Sequence, residues 1–236
     1  MEKLGHSSGN IEKNIVIING SPRKVSDSEK LALRLVESVK SDNLTVNTQM
    51  FKLSQMEIKN CIGCLECKNN GHCSQIDDVN KIKDSLKKAD FIIFSTPVHI
   101  SHISSLFHNF LERSITDLHT FEYWGKPFLN IVSTNGSGEE EADKYLSKIG
   151  LLFGMVKVGF AFVSKNDPFN EKNFSKQVQK SINILTGKYI VKPTMKNKIY
   201  FSYMKKTIKN NPDFFVYESK VWEERGWFSV SDKKKQ

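Results

Sequence analysis

The chain lacks any apolar run long enough to cross a membrane, and its first residues contain no apolar stretch of the signal-peptide kind. We therefore predict a cytoplasmic protein without a membrane span. Cysteine is scarce: four occur among 236 residues, and all four lie between Cys61 and Cys73. A disulfide framework is not expected in a cytosolic chain of this length, because disulfides are rare in that compartment. The sequence also contains no internal repeat.

Positive charge is concentrated in the last part of the chain. The formal net charge is +9, and the segment from Lys188 to Gln236, with 12 basic and 5 acidic residues, contributes +7 of it. A nucleic-acid-binding core would carry its basic stripe on the folded domain, so we predict no nucleic-acid partner. The segment is interpreted either as a solvated lysine-rich tail or as a basic surface that attracts an acidic protein or an anionic cofactor.

The stretch Asn14–Val39 has the pattern of a strand, a short polar loop and a helix. Asn14–Asn19 is apolar and β-branched, which predicts a buried strand, and Pro22 in the following loop cannot continue it. Ser26 and Glu29 have the spacing of a helix capping box. Free amides and the positive end of the helix dipole would converge on the loop, which indicates an anion site. Its side-chain donors would be Ser21, Arg23, Ser26 and Ser28. An ordinary strand–turn–helix with capping serines is the alternative.

This loop lacks the glycine spacing of a Rossmann fingerprint and the Gly-Lys-Ser/Thr ending of a P-loop. The residues NGSPRK at 19–24, followed by Ser26-Asp27-Ser28, resemble the phosphate loop of flavodoxin-like NAD(P)H-dependent FMN reductases. That family has a Gly-Asn-Thr-like triplet where this chain has Ser26, Asp27 and Ser28. The resemblance implies that these residues, with Ser21 and Arg23, bind FMN and that NAD(P)H is a co-substrate. Asp27 departs from the pattern, because a carboxylate repels a phosphate unless it points away.

All four cysteines form one motif, with two, two and five residues between Cys61, Cys64, Cys67 and Cys73. This concentration indicates metal or redox chemistry. Zinc sites usually pair their ligands across a longer span, whereas three thiolates at two-residue intervals with a fourth nearby favour iron–sulfur ligation. A zinc site that includes His72 and a loop of free thiols are the open alternatives.

The same cysteine spacing, placed after the second strand of a flavodoxin-like domain, resembles the iron–sulfur flavoproteins. That resemblance implies a four-iron, four-sulfur (4Fe-4S) cluster with Cys61, Cys64, Cys67 and Cys73 as its ligands. Two glycines in the loop, Gly63 and Gly71, would allow the backbone to fold tightly around it.

Two further loops follow predicted strands, and ligands of parallel sheets lie beyond the carboxyl ends of the strands. After the strand Phe91–Ser95 the FMN reductases have Pro-Val-Tyr, with the aromatic ring against the flavin, whereas this chain has His99 in place of the tyrosine. The histidine would either contact the flavin or be an ordinary surface residue. The loop after Pro127–Ser133 consists of small residues, which suits close approach by a flat ring. We predict cofactor contacts at Pro97, Val98, His99, Ile100, Thr134, Asn135, Gly136 and Gly138.

Strands and helices alternate along the chain, which predicts a parallel sheet with right-handed crossovers. With the resemblance, the predicted fold is α/β: a flavodoxin-like, doubly wound five-stranded parallel sheet with a C-terminal helical extension. The predicted divisions are a mobile N-terminus at 1–12, an FMN-binding domain at 13–188 with a cysteine-rich loop at 61–73, and an aromatic and basic helical extension at 189–236. The extension would cover the cofactor site, contact a second subunit or simply pack onto the domain.

Three functions are compatible with these features. The first is an FMN-dependent oxidoreductase that moves electrons from NAD(P)H to an acceptor, a role for which we predict no catalytic side chain. The second is a ferredoxin-linked electron-transfer flavoprotein without NAD(P)H turnover, and the third is a zinc-stapled binding protein. The resemblance also implies a homodimer or homotetramer, with small molecules or proteins as electron donors and acceptors.

Overall fold

A computed structural model describes residues 11–40, 44–166 and 169–229. These residues form a five-stranded, all-parallel sheet with the strand order β2-β1-β3-β4-β5. The strands are β1 (Ile11–Asn19), β2 (Leu44–Lys52), β3 (Phe91–Pro97), β4 (Pro127–Thr134) and β5 (Val156–Ser164). The predicted flavodoxin-like, doubly wound order is therefore confirmed.

Helices connect the strands and cover both faces of the sheet. They are α1 (Asp27–Val39), α2 (Glu66–Asn70), α3 (Val79–Lys88), α4 (Ser105–Arg113), α5 (Ile115–Thr120), α6 (Glu139–Leu152), α7 (Glu171–Leu185), α8 (Met195–Asn210) and α9 (Val216–Glu224), with a 3₁₀ turn at Leu53–Gln55. No helix in the described part of the chain has both the length and the apolar character that crossing a membrane requires.

The sheet is buried on both faces, which explains why its strands are nearly continuous apolar runs. Along β1, Val16 and Ile18 belong to the core formed with α3, α4 and α6, while Ile15 and Ile17 belong to the core formed with α1 and α7. The carboxyl ends of β1, β3 and β4 therefore meet at one edge of a rigid layer. The loops after these three strands are the ones in which the sequence analysis predicts cofactor contacts.

The last two helices pack through a separate aromatic core. Trp222 of α9 is fully buried, stacks on Phe201 of α8 at 4.9 Å between ring centroids, and donates from Nε1 to the carbonyl of His119 at 2.8 Å. Phe121, which follows α5, belongs to the same core. The predicted domain boundary at residue 189 stays a prediction. Of the predicted mobile N-terminus, residues 1–12, the first ten lie outside the described residues.

Candidate cofactor cleft and cysteine loop

The loop between β1 and α1 presents the unsatisfied end of a helix. Ser26 is the N-cap of α1, and its hydroxyl accepts the amide of Glu29 at 3.2 Å, which is one of the two hydrogen bonds of the predicted capping box. The Glu29 carboxylate instead lies 2.6 Å from Nζ of Lys52. Among the described residues, the amides of Asp27 and Ser28 have no acceptor. These are the first-turn donors that a helix leaves for a ligand.

Asn19 orders the start of this loop, although the sequence analysis gave it no role. Its buried side chain accepts the amide of Ser21 at 2.8 Å, and the hydroxyl of Ser21 accepts the amide of Arg23 at 3.2 Å. The sequence signal that could have selected Asn19 is its position, since it is a polar residue at the end of an apolar strand.

Gly20 permits a close approach between this loop and α4. A Cβ atom on Gly20 would lie 2.8 Å from Oγ of Ser104 and 2.8 Å from Cδ2 of Phe107. The Ser104 hydroxyl donates to the carbonyl of Gly20 at 2.6 Å and caps α4 by accepting the amide of Phe107 at 3.2 Å. Any larger residue at position 20 would separate the two segments.

The three selected loops surround one cleft of about 110 Å³. Nine of the predicted cofactor residues line it: Ser21, Arg23, Ser26, Asp27, Pro97, Val98, His99, Thr134 and Asn135. Two residues that were not predicted, Pro22 and Ser133, line it as well.

Two charged residues of the cleft differ in their surroundings. The exposed Arg23 side chain has no partner among the described residues. The carboxylate of Asp27 lies 3.4 Å from Nζ of Lys30. Arg23 is therefore available to an anion, and Lys30 offsets part of the repulsion that Asp27 would exert.

Four predicted cofactor residues do not line the cleft. Ser28 is buried, with its hydroxyl 3.3 Å from that of Ser26, and the Ile100 side chain is fully exposed. The amide of Gly136 donates to Oγ1 of Thr134 at 3.1 Å. A Cβ atom on Gly138 would lie 2.9 Å from Cγ1 of Val98, so this glycine allows two of the loops to pack. A direct cofactor contact by these four residues stays a prediction.

The loop after β3 contains a strained turn. The amide of His99 donates to the carbonyl of His102 at 2.8 Å, and the reverse bond measures 3.0 Å. The two residues between them, Ile100 and Ser101, have φ values of +50° and +56°. Neither is a glycine, and strain of this kind concentrates at functional sites.

The cysteine loop brings its four thiols into one region. Cys61 and Cys64 are exposed, Cys67 and Cys73 are partly buried, and none of the four forms a disulfide. Burial, followed by the charges of the other three cysteines, raises the pKa of Cys67, which indicates that all four thiols are neighbours. Within the described residues, no group of three or more Cys, His, Asp or Glu side chains is arranged to hold a metal ion.

Cys64 has a different environment from Cys67. A hydrogen bond with the backbone of Glu66, followed by one with the hydroxyl of Ser74, lowers the pKa of Cys64. The sulfur lies 3.6 Å from Oγ of Ser74. A thiol of this kind is more readily converted to the thiolate that metals and electrophiles require.

Two observations fit an iron–sulfur cluster in this loop. The first is the donor set itself, four thiols without another assigned role. The second is Arg113, whose buried Nε has no acceptor among the described residues. Burial lowers the pKa of Arg113, but the hydrogen bond and charge of Asp77, followed by Cys73, raise it overall, which indicates that its guanidinium is near Cys73. An unpaired N–H next to a cysteine ligand could donate a hydrogen bond to a sulfur of the cluster.

The sheet order and the position of the cleft at the carboxyl ends of the strands define a flavodoxin-like cofactor-binding protein. The family described as NADPH-dependent FMN reductase matches residues 13–168, and the chain therefore belongs to this family. It is an FMN-dependent oxidoreductase.

Relatives named iron–sulfur flavoproteins extend the comparison. One from Clostridioides difficile is 29% identical over 177 residues, which are 75% of this chain and 77% of the relative. One from Archaeoglobus fulgidus is 26% identical over 216 residues, which are 89% of this chain and 97% of the relative.

Two solved structures share the fold. An NADH:FMN oxidoreductase in its apo form has a TM-score of 0.55 at 20% identity, over 74% of this chain and 89% of the other. RosB with a bound 8-demethyl-8-formylriboflavin-5'-phosphate intermediate has a TM-score of 0.57 at 12% identity, over 93% of this chain and 88% of the other.

Proposed function

We propose that the chain uses FMN to move electrons between NAD(P)H or a reduced carrier and an acceptor, through a 4Fe-4S cluster held by Cys61, Cys64, Cys67 and Cys73. The observation that carries this proposal is the connection of the cleft to the cysteine loop by one helix, α4. Its N-cap, Ser104, bonds to Gly20 in the cleft loop, and its last residue, Arg113, bonds to the base of the cysteine loop. Nine residues of helix span about 14 Å.

In this proposal, the β1–α1 loop holds the phosphate of FMN. The unsatisfied amides of Asp27 and Ser28 and the hydroxyls of Ser21 and Ser26 are its donors, and Arg23 supplies the charge. The loops at Pro97–His99 and Thr134–Asn135 form the rest of the cleft. Bound FMN supplies the conversion between two-electron hydride chemistry and one-electron carriers.

In the cysteine loop, soft thiolate ligands would hold the cluster. Cys64, with its lowered pKa, supplies a thiolate readily, and Cys67 and Cys73 lie on the partly buried side of the loop. The names of the relatives from Clostridioides difficile and Archaeoglobus fulgidus support the same assignment.

Anaerobic reconstitution with iron and sulfide tests the proposal. We expect one FMN with about four irons and four sulfides per chain, and loss of the iron in Cys64→Ser with FMN retained. One zinc per chain without sulfide would contradict the cluster. Steady NAD(P)H oxidation by the FMN-loaded chain would support the reductase. Its absence, with electrons accepted from a reduced ferredoxin, would contradict the NAD(P)H step and identify an electron-transfer module.

We also propose that the chain forms a homodimer or homotetramer in the cytoplasm. The support within the structure is a row of exposed apolar side chains on α8, at Met195, Ile199 and Tyr203. Light scattering coupled to size-exclusion chromatography gives the molar mass, and a monomer at micromolar concentration would contradict the proposed assembly.

A further inference from the structure

The cysteine loop leaves and re-enters the domain through two segments, residues 57–60 and 75–78, that hydrogen-bond to each other. The amide of Asp78 donates to the carbonyl of Glu57 at 3.0 Å, and Nε2 of Gln75 donates to the carbonyl of Asn60 at 3.0 Å. The amide of Lys59 donates to Oδ2 of Asp77 at 3.0 Å. The loop therefore has a defined base, from which the four cysteines project.

A buried arginine from another element joins both segments of this base. Nη1 of Arg113 donates to the carbonyl of Lys59 at 2.6 Å and to Oδ2 of Asp77 at 2.5 Å. Nη2 of the same guanidinium lies 3.4 Å from the carbonyl of Gln75. The side chains of Arg113 and Asp77 are each only 1% exposed.

The geometry requires the forked shape of an arginine. A guanidinium presents five donors in a rigid plane, so it can bond to two chain segments and a carboxylate at once, whereas an ammonium is a point charge. Removing one partner from a buried ion pair leaves an uncompensated charge, which is strongly destabilising. Asn109, one turn earlier on α4, makes a separate bond from Nδ2 to the carbonyl of Ile58 at 3.0 Å.

We propose that Arg113 is a positioning residue that closes the base of the cysteine loop and holds Cys73 within reach of the other three thiols. This inference rests on the proposed function, because holding Cys73 in place serves to assemble the ligands of the proposed cluster. It goes further in assigning cluster assembly to a residue outside the motif, on the helix whose N-cap, Ser104, bonds to Gly20 in the cleft loop. The arginine acts on the loop through hydrogen bonds to the backbone and to Asp77, and it is not itself a ligand.

The test compares Arg113→Lys with Arg34→Lys in the full-length, FMN-loaded chain. Arg34 is a matched control, because it also forms a two-bond pair with a carboxylate, Glu171, but on the surface between α1 and α7. Hydrogen–deuterium exchange before reconstitution measures the order of residues 59–77. Iron retention against a chelator after reconstitution measures the ligand site.

For Arg113→Lys we expect exchange in residues 59–77 to be about tenfold faster and iron retention to be roughly tenfold weaker, with FMN content and sheet protection unchanged. The control should change neither measurement. Parent-like exchange and iron retention in Arg113→Lys would overturn the proposal. If the parent itself takes up no iron, the proposed cluster fails, while the exchange result still decides the role of Arg113.

A second variant covers the case in which Arg113→Lys also loses FMN and sheet protection. Asp77→Asn keeps the size of the side chain and one acceptor oxygen but removes the charge that faces Arg113. Faster exchange confined to residues 59–77 in this variant supports the proposal. Loss of protection across the whole sheet would assign the pair to the stability of the domain and overturn its assignment to the loop.

Discussion

Gly71 and Tyr217 are in direct contact, since the missing side chain of the glycine leaves the space that the tyrosine ring fills. A Cβ atom on Gly71 would lie 2.0 Å from Cε2 of Tyr217. Gly71 ends α2 inside the cysteine loop, and Tyr217 lies on α9. Nζ of Lys68 lies 3.3 Å from the centroid of the Phe214 ring, which adds a cation–π contact between the same two segments. The C-terminal helices therefore pack against the cysteine loop as well as against the sheet domain.

Gly71→Ala should destabilise the protein more than Gly63→Ala. Both glycines have positive φ, at +76° and +66°, so a side chain costs about 1–2 kcal/mol at either position. At Gly63 a Cβ atom meets nothing within 4 Å, whereas at Gly71 it overlaps the tyrosine ring, which adds about 1–3 kcal/mol. Denaturant unfolding measures both changes, and hydrogen exchange of α9 locates the effect. Equal destabilisation by the two variants would contradict the contact.

Cys64 and Cys67 should differ in reactivity in cluster-free protein. Hydrogen bonds with the backbone of Glu66 and with Ser74 lower the pKa of Cys64, while burial and the neighbouring thiols raise the pKa of Cys67. At neutral pH the thiolate fraction is therefore larger at Cys64, which is also exposed, and iodoacetamide should alkylate it first. Peptide mass spectrometry over a time course measures the two rates.

The control for this difference is Ser74→Ala. It removes the side-chain hydrogen bond that helps to lower the pKa of Cys64 and leaves the groups that raise the pKa of Cys67 in place, so the two alkylation rates should move closer together. Alkylation of Cys67 ahead of Cys64 in the parent protein would show that the described loop geometry is not the one present in solution.

The fold and the cleft were predictable because their signals are local. The apolar run of β1 predicts a strand buried on both faces, and the change at Gly20 to a helical pattern capped by Ser26 predicts the loop that lines the cleft. The parallel order then requires the carboxyl ends of β1, β3 and β4 to meet. Local patterns therefore selected the three loops, and the resemblance to the FMN reductases completed the set of nine predicted residues that line the cleft.

The base of the cysteine loop was not predictable in the same way. Arg113 and Asp77 are 36 residues apart, and neither belongs to a periodic pattern that indicates the other. Helix α2 has only five residues and begins after Leu65, which has a φ of +63°, so it lacks both a capping residue and a repeat of apolar positions. Contacts between segments that are far apart in the sequence determine the structure of this region, and no local sequence pattern indicates such contacts.

Ile100→Gly should leave the protein at least as stable as the parent. The side chain is fully exposed and the residue has a φ of +50°, so the substitution removes left-handed strain and no buried contact. The relief of about 1–2 kcal/mol exceeds or offsets the loss of about 0.4–1 kcal/mol from the greater freedom of glycine in the unfolded chain. Thermal and denaturant unfolding measure the difference.

Ser101→Gly separates the backbone effect of Ile100 from its predicted contact with FMN. Ser101 has a φ of +56° in the same turn and is exposed, so both variants should gain similar stability. If Ile100 contacts the cofactor, FMN affinity falls in Ile100→Gly and stays unchanged in Ser101→Gly. Unchanged affinity in both variants would remove Ile100 from the cofactor site.

Arg23→Ala should weaken FMN binding without changing the stability of the cofactor-free protein. The exposed Arg23 side chain lines the cleft and has no partner among the described residues, so its removal breaks no contact within them. A charge-assisted hydrogen bond to the phosphate contributes about 1.5–3 kcal/mol, which is roughly a ten- to hundredfold increase in Kd. Fluorescence titration of the cofactor-free protein measures the affinity.

Two comparisons decide whether Arg23 acts on the phosphate. Lys24→Ala removes a charge of the same sign from the next residue, whose exposed side chain does not line the cleft, so FMN affinity should fall little. Riboflavin has the same ring system as FMN but no phosphate, and its affinity should be equal in Arg23→Ala and the parent. Weakening of FMN alone, by Arg23→Ala alone, supports a specific bond. An equal loss for FMN and riboflavin would show that Arg23 acts on the ring or on the loop, and an unchanged FMN affinity would show that the phosphate binds elsewhere.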